Sequence, residues 1–382
     1  MESRGSEMKK KVVVGMSGGV DSSVAACLLK EQGYEVIGIT MQTWEDEERA
    51  FVEENGGCCG LEAAEDAGRV ARILSIPHYV VNFKKEFREK VVDYFITEYL
   101  SGRTPNPCIA CNRYVKWESL LRRAMEIGAD YIATGHYARV EKLPNGRYAV
   151  RNSVTARKDQ TYALYNLTQF QLSRTLMPAG DYTKEEIRSI AEKNHLPVAQ
   201  KRDSQDICFV PDRDYAGFIR RAANKELLEN LPKGLPREIP KEGNFVSEDG
   251  RVLGTHKGII HYTVGQRKGL NLSMGHPVFV SELRPKTNEV VISDSDVFRT
   301  RLTCSRIQFM GMEDLPKPRR LWAKIRYAHR GEWCEAVRTG EDAISCTFEH
   351  PVRAVTPGQA VVFYDGEYVM GGGIIQSGSG LE

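Results

Sequence analysis

The chain has 382 residues, of which 41% are hydrophobic and 27% charged, and its formal net charge is +2. This length predicts two or three domains. The small net charge excludes a protein that coats nucleic acid with its whole surface, although it permits a local basic surface. No apolar run approaches the roughly 20 residues of a membrane span, and residues 1–11 are polar with both charge signs, unlike an export or transit signal. We therefore expect a cytoplasmic protein with no membrane partner.

The first chemical signal is an apolar run that ends in a Ser-Gly-Gly turn. Val12–Val14 predict a strand, and Asp21 and Ser22 open a helical pattern. A tight turn between a strand and a helix presents backbone N–H groups and the positive end of the helix dipole to an anion. The turn lacks the lysine of the common mononucleotide loop. A plain turn is the alternative, but the full string Ser17-Gly18-Gly19-Val20-Asp21-Ser22 favours a phosphate site.

Up to about residue 134, short apolar runs alternate with amphipathic patterns. The predicted strands are Lys11–Gly15, Glu35–Thr40, His78–Asn82 and Tyr131–Thr134. The predicted helices are Ser22–Glu31, Glu62–Leu74, Lys84–Leu100 and Trp117–Ile127. This alternation predicts the α/β class, a parallel sheet with helices on both faces. Ligands of such sheets bind beyond the carboxyl ends of the strands, where the Ser17–Asp21 turn, Met41 and Gly135 would share one edge.

The nine cysteines, an odd number, are expected to serve chemistry or metal binding rather than a disulfide framework. Cys108 and Cys111 form a Cys-Xaa-Xaa-Cys unit, which is typical of half a zinc site, a redox pair or iron–sulfur ligation. The sequence holds no second such unit, which disfavours structural zinc. Cys208 is either a buried inert thiol or one activated by preceding basic residues. The adjacent Cys58 and Cys59 are interpreted as loop or packing thiols.

The middle of the chain offers weaker signals. The polar cluster Lys158–Gln160 is either a solvated turn or a contact to a nucleotide or RNA backbone. Thr183 opens a predicted helix, Lys184–Asn194. The proline-rich residues 227–244 predict a connector, and the Gly-rich and basic stretch Gly250–Gly269 predicts a small module with exposed loops.

From about residue 278 the chain consists of short β-like runs separated by turn residues, which predicts a small β-barrel. The runs are Val278–Ser281, Glu289–Ser293, Leu302–Met310, Leu321–Tyr327, Cys334–Thr339, Ile344–Phe348 and Ala360–Tyr364. With the strand period of two, one face carries Arg320, Lys324, Arg326 and Arg330 together with Trp322. A solvated face is the alternative, but a basic face with an aromatic side chain suits RNA phosphates and unstacked bases.

Together these stretches resemble the bacterial and mitochondrial tRNA-specific 2-thiouridylase family, the MnmA type, over nearly the entire chain. The strings that carry the resemblance are Gly15-Met16-Ser17-Gly18-Gly19-Val20-Asp21-Ser22-Ser23, Gly102-Arg103-Thr104-Pro105-Asn106-Pro107, Cys111-Asn112, Ala133-Thr134-Gly135-His136-Tyr137-Ala138, Lys158-Asp159-Gln160, Asp203-Ser204-Gln205-Asp206-Ile207-Cys208-Phe209, Gly265-Gln266-Arg267-Lys268-Gly269 and Pro357-Gly358-Gln359. The resemblance implies an adenine-nucleotide α-hydrolase-like catalytic domain with an ATP pyrophosphatase loop at 1–226. A small central tRNA-adaptor module at 227–285 and a C-terminal β-barrel at 286–382 would follow.

The resemblance also implies the reaction, which is ATP-dependent 2-thiolation of the wobble uridine, position 34, in the anticodon stem-loop of tRNA. ATP would be cleaved to AMP and diphosphate as the C2 oxygen is adenylated. The implied ATP-binding residues, with Mg²⁺ at the phosphates, are Gly15, Met16, Ser17, Gly18, Gly19, Val20, Asp21, Ser22, Met41 and Gly135. The implied tRNA-binding residues are Asn106, Pro107, Cys108, His136, Lys158, Asp159, Gln160, Arg326, Tyr327 and Gln359.

Two cysteines would transfer the sulfur. In the scheme that the resemblance implies, Cys208 carries a persulfide received from a cysteine desulfurase or sulfur-relay protein. Cys111 activates or resolves the persulfide, leaving a Cys111–Cys208 disulfide. One position departs from the family pattern, because many members carry Asp three residues before the first catalytic cysteine and this chain has Cys108. Three thiolates at Cys108, Cys111 and Cys208 could instead hold a [4Fe–4S] cluster as the sulfide carrier.

Two other functions stay open at this stage. An amidating or ligating synthetase would also adenylate its substrate, but it would leave Cys111, Cys208 and the basic strand without a role. A non-catalytic iron–sulfur or RNA-binding module would not need the Ser17–Ser22 loop.

Overall fold

The computed structural model describes residues 9–43, 61–202 and 207–379. Cys58 and Cys59 therefore lie outside the described residues, as do residues 203–206 before Cys208. The chain divides into two compact units, the first from Met1–Arg88 with Ala110–Arg213 and the second from Glu89–Ile109 with Asp214–Glu382. Across the described ranges, none of the helices combines the length and apolar character needed to cross a membrane.

The first unit is built on a parallel sheet. Its strands, with the two of a following hairpin, are β1 Lys11–Gly15, β2 Glu35–Gln42, β3 His78–Asn82, β4 Tyr131–Ala133, β5 Ala138–Lys142, β6 Tyr148–Asn152 and β7 Thr175–Leu176. The sheet order is β3-β2-β1-β4-β7, with every neighbour parallel, whereas β5 and β6 pair as an antiparallel hairpin. Val12, Val13 and Val14 of β1 have no exposed surface, so both faces of the central strand are covered. The predicted fold class is confirmed.

The helices of this unit lie close to their predicted positions. They are Val20–Glu31, Leu61–Ile73, Lys84–Phe87, Cys111–Leu120, Leu121–Glu126, Gln169–Ser173 and Lys184–Lys193, with 3₁₀ turns at Thr161–Leu164 and Pro178–Asp181. Thr183 opens its helix as predicted. Its hydroxyl accepts from the Glu186 backbone N–H, and the Glu186 carboxylate accepts from the Thr183 backbone N–H.

Two helical stretches are wound more widely than an α-helix. The predicted helix Lys84–Leu100 contains a π segment at Arg88–Val92, and the predicted helix Trp117–Ile127 begins too late, because Cys111–Leu120 is already a π-helix of 10 residues. In a π-helix each backbone N–H bonds to the carbonyl five residues earlier. Apolar positions then stop repeating at the α-helical spacing, so the sequence pattern misplaced the start of this helix.

The second unit holds a small sheet and a closed barrel. Its helices are Asp93–Leu100, Tyr215–Ala222 and Lys225–Glu229, with Pro107–Ala110 at its boundary and a 3₁₀ turn at Ile259–His261. The small sheet has the order β10-β11-β8-β9, with β8 Gly243–Ser247, β9 Val252–His256, β10 Phe279–Arg284 and β11 Glu289–Ser293. The barrel strands are β12 Phe298–Phe309, β13 Arg319–Lys324, β14 Glu332–Gly340, β15 Ala343–Arg353, β16 Ala360–Asp365 and β17 Tyr368–Ser379. They pair in the order β12-β15-β14-β13-β16-β17, and β12 also pairs with β17, which closes the ring.

The barrel prediction needs three corrections. The runs Val278–Ser281 and Glu289–Ser293 lie in the small sheet rather than in the barrel. Strand β17 was missed because the glycines at 371–373 are typical of a turn. Strand β13 ends at Lys324, so Arg326 and Arg330 lie in the connection to β14 and not on the predicted strand face. The domain boundaries at 226 and 285 stay predictions.

Candidate active site

The Ser-Gly-Gly turn follows the carboxyl end of β1, the central strand of the parallel sheet. Gly18 has φ +70°, and a Cβ there would lie 2.3 Å from the carbonyl oxygen of Ala63. Only glycine satisfies both the left-handed backbone and the close approach. The second glycine, Gly19, is the N-cap of the helix Val20–Glu31 and offers no side chain to cap it. The first-turn N–H groups of a helix of 12 residues are thus left for an anion.

Serine hydroxyls fix the shape of this turn. The Ser22 hydroxyl accepts from the Ser17 backbone N–H at 3.2 Å and donates to the Gly19 carbonyl at 3.2 Å. The Ser17 and Ser22 hydroxyls lie 3.3 Å apart. The turn is therefore held in one conformation by its own polar side chains before any ligand arrives.

A cavity of about 210 Å³ opens beside this turn, and we call it the loop cavity. Its lining residues are Gly15, Met16, Ser17, Asp21, Ser22, Thr40, Met41, Lys116, Leu120, Thr134, Gly135, His136 and Gln160. Most of the residues predicted to bind ATP line it. Gly18, Gly19 and Val20 do not. Val20 packs into the core at 3% exposure.

Gly135, just beyond β4, allows the chain after β4 to pack against the start of the helix Val20–Glu31. A Cβ at this position would lie 2.5 Å from the carbonyl carbon of Asp21 and 2.5 Å from the backbone nitrogen of Ser22. The chain after β4 therefore packs directly against the start of the helix Val20–Glu31, and no larger residue fits. This contact places Thr134 and His136 on the same cavity as the turn.

Asp21 is the acidic residue of the turn, and two partners orient it. Its Oδ1 accepts from the Tyr137 hydroxyl at 2.7 Å and from Lys184 Nζ at 2.7 Å. Lys184 is 8% exposed and Tyr137 is 2% exposed, so both donors come from the core. The Lys184 ammonium also compensates the carboxylate charge beside the helix start.

His136 is a neutral imidazole at pH 7. Burial, with the nearby Lys116 ammonium as the second cause, holds its pKa well below the usual range. Its Nδ1 lies 2.7 Å from the Thr134 hydroxyl, and its ring packs against Trp117 at 5.4 Å between centroids. A neutral imidazole can exchange hydrogen bonds with a base without adding charge.

The turn Lys158–Gln160 has structural duties in the same unit. The Gln160 Oε1 accepts from the Tyr137 backbone N–H at 2.9 Å. Asp159 accepts from the Ser153 backbone N–H at 3.0 Å and from the Thr161 hydroxyl at 2.5 Å. Lys158 is half-buried. Gln160 reaches the loop cavity, whereas Asp159 serves to hold the turn.

The sequence pattern missed Lys116, which also lines the loop cavity. Its Nζ donates to Asn112 Oδ1 at 2.9 Å, and the buried Asn112 donates from Nδ2 to the Ala163 carbonyl at 3.0 Å. In the sequence, Lys116 is marked only by its position five residues after Cys111. That spacing is informative only in a π-helix, where hydrogen bonds span five residues.

The cysteines differ in exposure. In the first unit Cys111 begins the π-helix and Cys208 precedes the buried Phe209, and both thiols are half-buried. In the second unit Cys108 is exposed. Asn106 Oδ1 accepts from the backbone N–H groups of Cys108 at 3.1 Å and Ile109 at 3.3 Å, which caps the helix that begins at Pro107. Among the described residues, no group of three or more Cys, His, Asp or Glu is placed to hold a metal ion.

Two strings of the second unit meet in a joint that we call the barrel junction, formed by Gly102–Pro105 and Pro357–Gln359. The Thr104 backbone N–H donates to the Pro357 carbonyl at 2.8 Å. The Gln359 Nε2 donates to the carbonyls of Thr104 at 2.9 Å and Pro105 at 3.3 Å. Elsewhere in the barrel, Arg326 donates to the Arg353 carbonyl at 2.8 Å, while Tyr327 is 47% exposed.

Three family models match successive segments of the chain. They are described as a tRNA methyl transferase HUP domain at residues 10–212, a tRNA methyl transferase PRC-barrel domain at 235–294 and an aminomethyltransferase beta-barrel domain at 299–375. The chain is 62% identical to the tRNA-specific 2-thiouridylase MnmA of Lachnoclostridium phytofermentans, over 96% of this chain and 99% of the relative. It is 54% identical to the MnmA of Clostridium kluyveri over 97% and 100%, and 51% identical to that of Clostridioides difficile over 97% and 99%.

Proposed function

The chain belongs to the tRNA-specific 2-thiouridylase family, and on that premise we propose that it replaces the C2 oxygen of the wobble uridine, position 34, of tRNA with sulfur at the expense of ATP. The observation that carries the proposal is the loop cavity, where an uncapped helix start, two serine hydroxyls and an oriented aspartate meet. This arrangement suits a nucleoside triphosphate rather than a neutral ligand.

ATP binds along the turn and the sheet edge in this proposal. Gly15–Ser22 hold the phosphates through backbone N–H groups and the Ser17 and Ser22 hydroxyls, while Met41 and Gly135 contact the nucleoside. Mg²⁺ prefers oxygen ligands and binds with substrate phosphates. Among the described residues that line the cavity, Asp21 supplies the only carboxylate, so it would hold the ion together with those phosphates.

Activation of the uridine is the reason for an ATP site. The C2 oxygen is a poor leaving group. When it attacks the α-phosphorus of ATP, the bond from that phosphorus to the bridging oxygen breaks, and diphosphate leaves with the electron pair. The adenylated oxygen can then depart as AMP. Neutral His136 and Gln160 line the same cavity and can hold the base through hydrogen bonds at this step.

Sulfur transfer uses Cys208 and Cys111. A cysteine desulfurase or relay protein supplies the outer sulfur of a Cys208 persulfide. That sulfur attacks C2 and AMP leaves. The Cys111 thiolate then attacks Cys208 Sγ, the sulfur–sulfur bond breaks toward the thiouridine, and a Cys111–Cys208 disulfide results. An external thiol reduces it before the next turnover. The half-buried state of both thiols supports this assignment over an inert core role.

The proposed tRNA contacts are Asn106, Pro107 and Cys108 for the target base and His136, Lys158–Gln160, Arg326, Tyr327 and Gln359 for the rest of the anticodon stem-loop. Asn106, Asp159 and Gln359 already bond to protein backbone, so they would shape the surface that tRNA meets. Exposed Tyr327 is suited to stack on an unpaired base.

A [4Fe–4S] cluster on Cys108, Cys111 and Cys208 is the alternative sulfide carrier. The described residues do not form a metal-binding group of three, so we derive no step through a cluster. The alternative can be tested because it requires the Cys108 thiol, whereas the persulfide route does not.

The test compares iron content, diphosphate release and tRNA thiolation after anaerobic purification. The proteins are wild type, Cys108→Ala, Cys111→Ala and Cys208→Ala, with Cys27→Ala as the matched control. Burial raises the pKa of the Cys27 thiol to about 11, so it is inert. We expect iron-free wild type to thiolate tRNA from a persulfide donor. Cys111→Ala and Cys208→Ala should lose thiolation but still release diphosphate. Cys108→Ala should still thiolate tRNA, with a rate lowered only by the loss of one proposed contact to the base.

Two results would change the proposal. About four irons per chain, with cluster and thiolation lost together in Cys108→Ala, would replace the persulfide route by the cluster. Wild type that releases no diphosphate from ATP in the presence of tRNA would contradict the proposed function itself.

A further inference from the structure

Lys116 is the cation of the loop cavity. Among the described residues that line this cavity, no other lysine or arginine is present, although the triphosphate proposed to bind there is strongly anionic. The Ser-Gly-Gly turn itself has no basic residue, whereas the common mononucleotide loop carries its own lysine for the phosphates. A side-chain cation to act beside the helix start and Mg²⁺ therefore has to come from another element, and the π-helix Cys111–Leu120 supplies it.

The Lys116 ammonium is held in place rather than swinging in solvent. Asn112 Oδ1 accepts from Nζ at 2.9 Å. Asn112 is 2% exposed and is itself fixed by its bond to the Ala163 carbonyl. A lysine with a fixed partner loses less conformational entropy when it binds a phosphate.

The neighbours of Lys116 indicate which phosphate it meets. Lys116 and His136 line the same cavity, and after burial the ammonium is the second cause that lowers the pKa of that imidazole. Gly135, a proposed ATP contact, and His136, a proposed tRNA contact, are adjacent in the chain and line the same cavity. The α-phosphate is the part of ATP that must lie where the nucleotide site and the base site adjoin, because the uridine oxygen attacks it.

The π-helical winding of Cys111–Leu120 also favours a position of Lys116 near the α-phosphate. In a π-helix the N–H of a residue bonds to the carbonyl five residues earlier, so Lys116 follows Cys111 by one hydrogen-bonded turn. π-Helical segments occur frequently at functional sites. One helix would thus bring the cation for adenylation and the thiol for sulfur transfer to the same substrate.

We propose that Lys116 binds a non-bridging oxygen of the ATP α-phosphate and stabilises the transition state in which the uridine C2 oxygen bonds to that phosphorus and diphosphate departs. The inference rests on the proposed function and adds a catalytic residue to it. Lys116 transfers no proton; its fixed charge offsets the charge that builds on the phosphoryl oxygens and the leaving diphosphate.

The experiment measures diphosphate release in single turnovers with ATP and tRNA for wild type, Lys116→Met, Lys116→Arg and Lys193→Met. Lys193 is exposed on the helix Lys184–Lys193 and serves as the matched lysine control. Removal of one charged donor to a transition state typically costs on the order of 10²–10³ in rate. We expect that loss in kcat for Lys116→Met, with the KM for tRNA unchanged within about twofold. Lys116→Arg should recover at least about tenfold of it, because a guanidinium also binds phosphate.

The outcomes separate a catalytic role from a structural one. Thermal unfolding is followed for every variant, and Lys116→Gln replaces the Met variant if that protein melts early. Adenylation by the neutral variants within about threefold of wild type would overturn the inference, as would a rise in the KM for ATP with kcat unchanged. Failure of Lys116→Arg to recover any rate would also overturn it. Wild type without diphosphate release would instead contradict the proposed function.

Discussion

The loop cavity and the barrel junction are built from equally distinctive strings, but the structure uses them in opposite ways. At the loop cavity the helix start has no side-chain cap, and Gly135, which packs against that helix start, lines an open space. At the barrel junction the Gln359 side-chain amide donates to the carbonyls of Thr104 and Pro105, and the Thr104 backbone N–H donates to the Pro357 carbonyl. A motif can therefore indicate a surface that awaits a ligand or a joint that holds the backbone. The hydrogen-bond partners distinguish the two, and the sequence alone does not.

The largest effect is expected where the cavity depends on a single missing side chain. Gly135→Ala places a Cβ 2.5 Å from the backbone of Asp21 and Ser22, and backbone atoms at a helix start cannot yield cheaply. The phosphate-binding N–H groups should shift, and we expect AMP formation to fall on the order of 100-fold. ATP binding by calorimetry and AMP release with tRNA measure the effect.

Gly68→Ala is the control for this substitution. Gly68 lies in the helix Leu61–Ile73, and the nearest atom to an added Cβ is 3.7 Å away. The change should leave activity intact and stabilise the protein by roughly 0.5–1 kcal/mol, since alanine favours a helix. Normal AMP formation by Gly135→Ala would mean that the contact between the β4 edge and the helix start does not position the phosphates.

The sequence predicted the features of these two regions that depend on neighbouring residues, and it missed those that depend on helix winding or on distant contacts. The continuous valine run of β1 and the strand–turn–helix order are local signals, so the parallel sheet and most of the cavity lining were predictable. Lys116 was not, because its place depends on a π-helix that breaks the α-helical period. The hydrogen bond from Gln359 to the Thr104 carbonyl was not either, since the two residues lie 255 positions apart in the sequence. Strand β17 was hidden by its glycines.

A moderate effect is expected at the barrel junction. Gln359→Glu replaces the donor to the Thr104 and Pro105 carbonyls by a carboxylate that can only repel them. We expect a loss of about 1–3 kcal/mol in the free energy of unfolding, in the absence of tRNA. Urea unfolding monitored by tryptophan fluorescence measures it.

Thr339→Glu adds the same charge at the exposed end of β14 and should change stability much less. If Gln359→Glu unfolded like wild type but bound tRNA more weakly, the proposed tRNA contact would be the main role of Gln359, and the contrast with the loop cavity would disappear.

The smallest effect concerns pH, and it extends the contrast to the connection between β13 and β14. His329 Nδ1 is buried there without a hydrogen-bond partner in the described structure. Burial first, then the charges of Arg326 and Lys324, lower the pKa of His329 to about 4, while Glu332 opposes the shift. The unfolded chain, with a histidine pKa near 6.5, therefore takes up this proton more readily than the folded protein does. Stability attributable to His329 is complete above about pH 6.5 and declines as the pH falls toward 4.

His329→Asn should remove that decline. At pH 5.5 the stability lost through His329 amounts to about 1 kcal/mol after allowance for partial exposure, or about 1–2 °C in Tm for a chain of this length. At pH 8 both proteins lack this proton, so their difference there reports only lost packing. The change in that difference between pH 8 and pH 5.5 isolates the charge. A difference that stays constant would mean that neither burial nor the charges of Arg326 and Lys324 lower the pKa of His329. The connection between β13 and β14 would then have no counterpart to the buried, neutral His136 of the loop cavity.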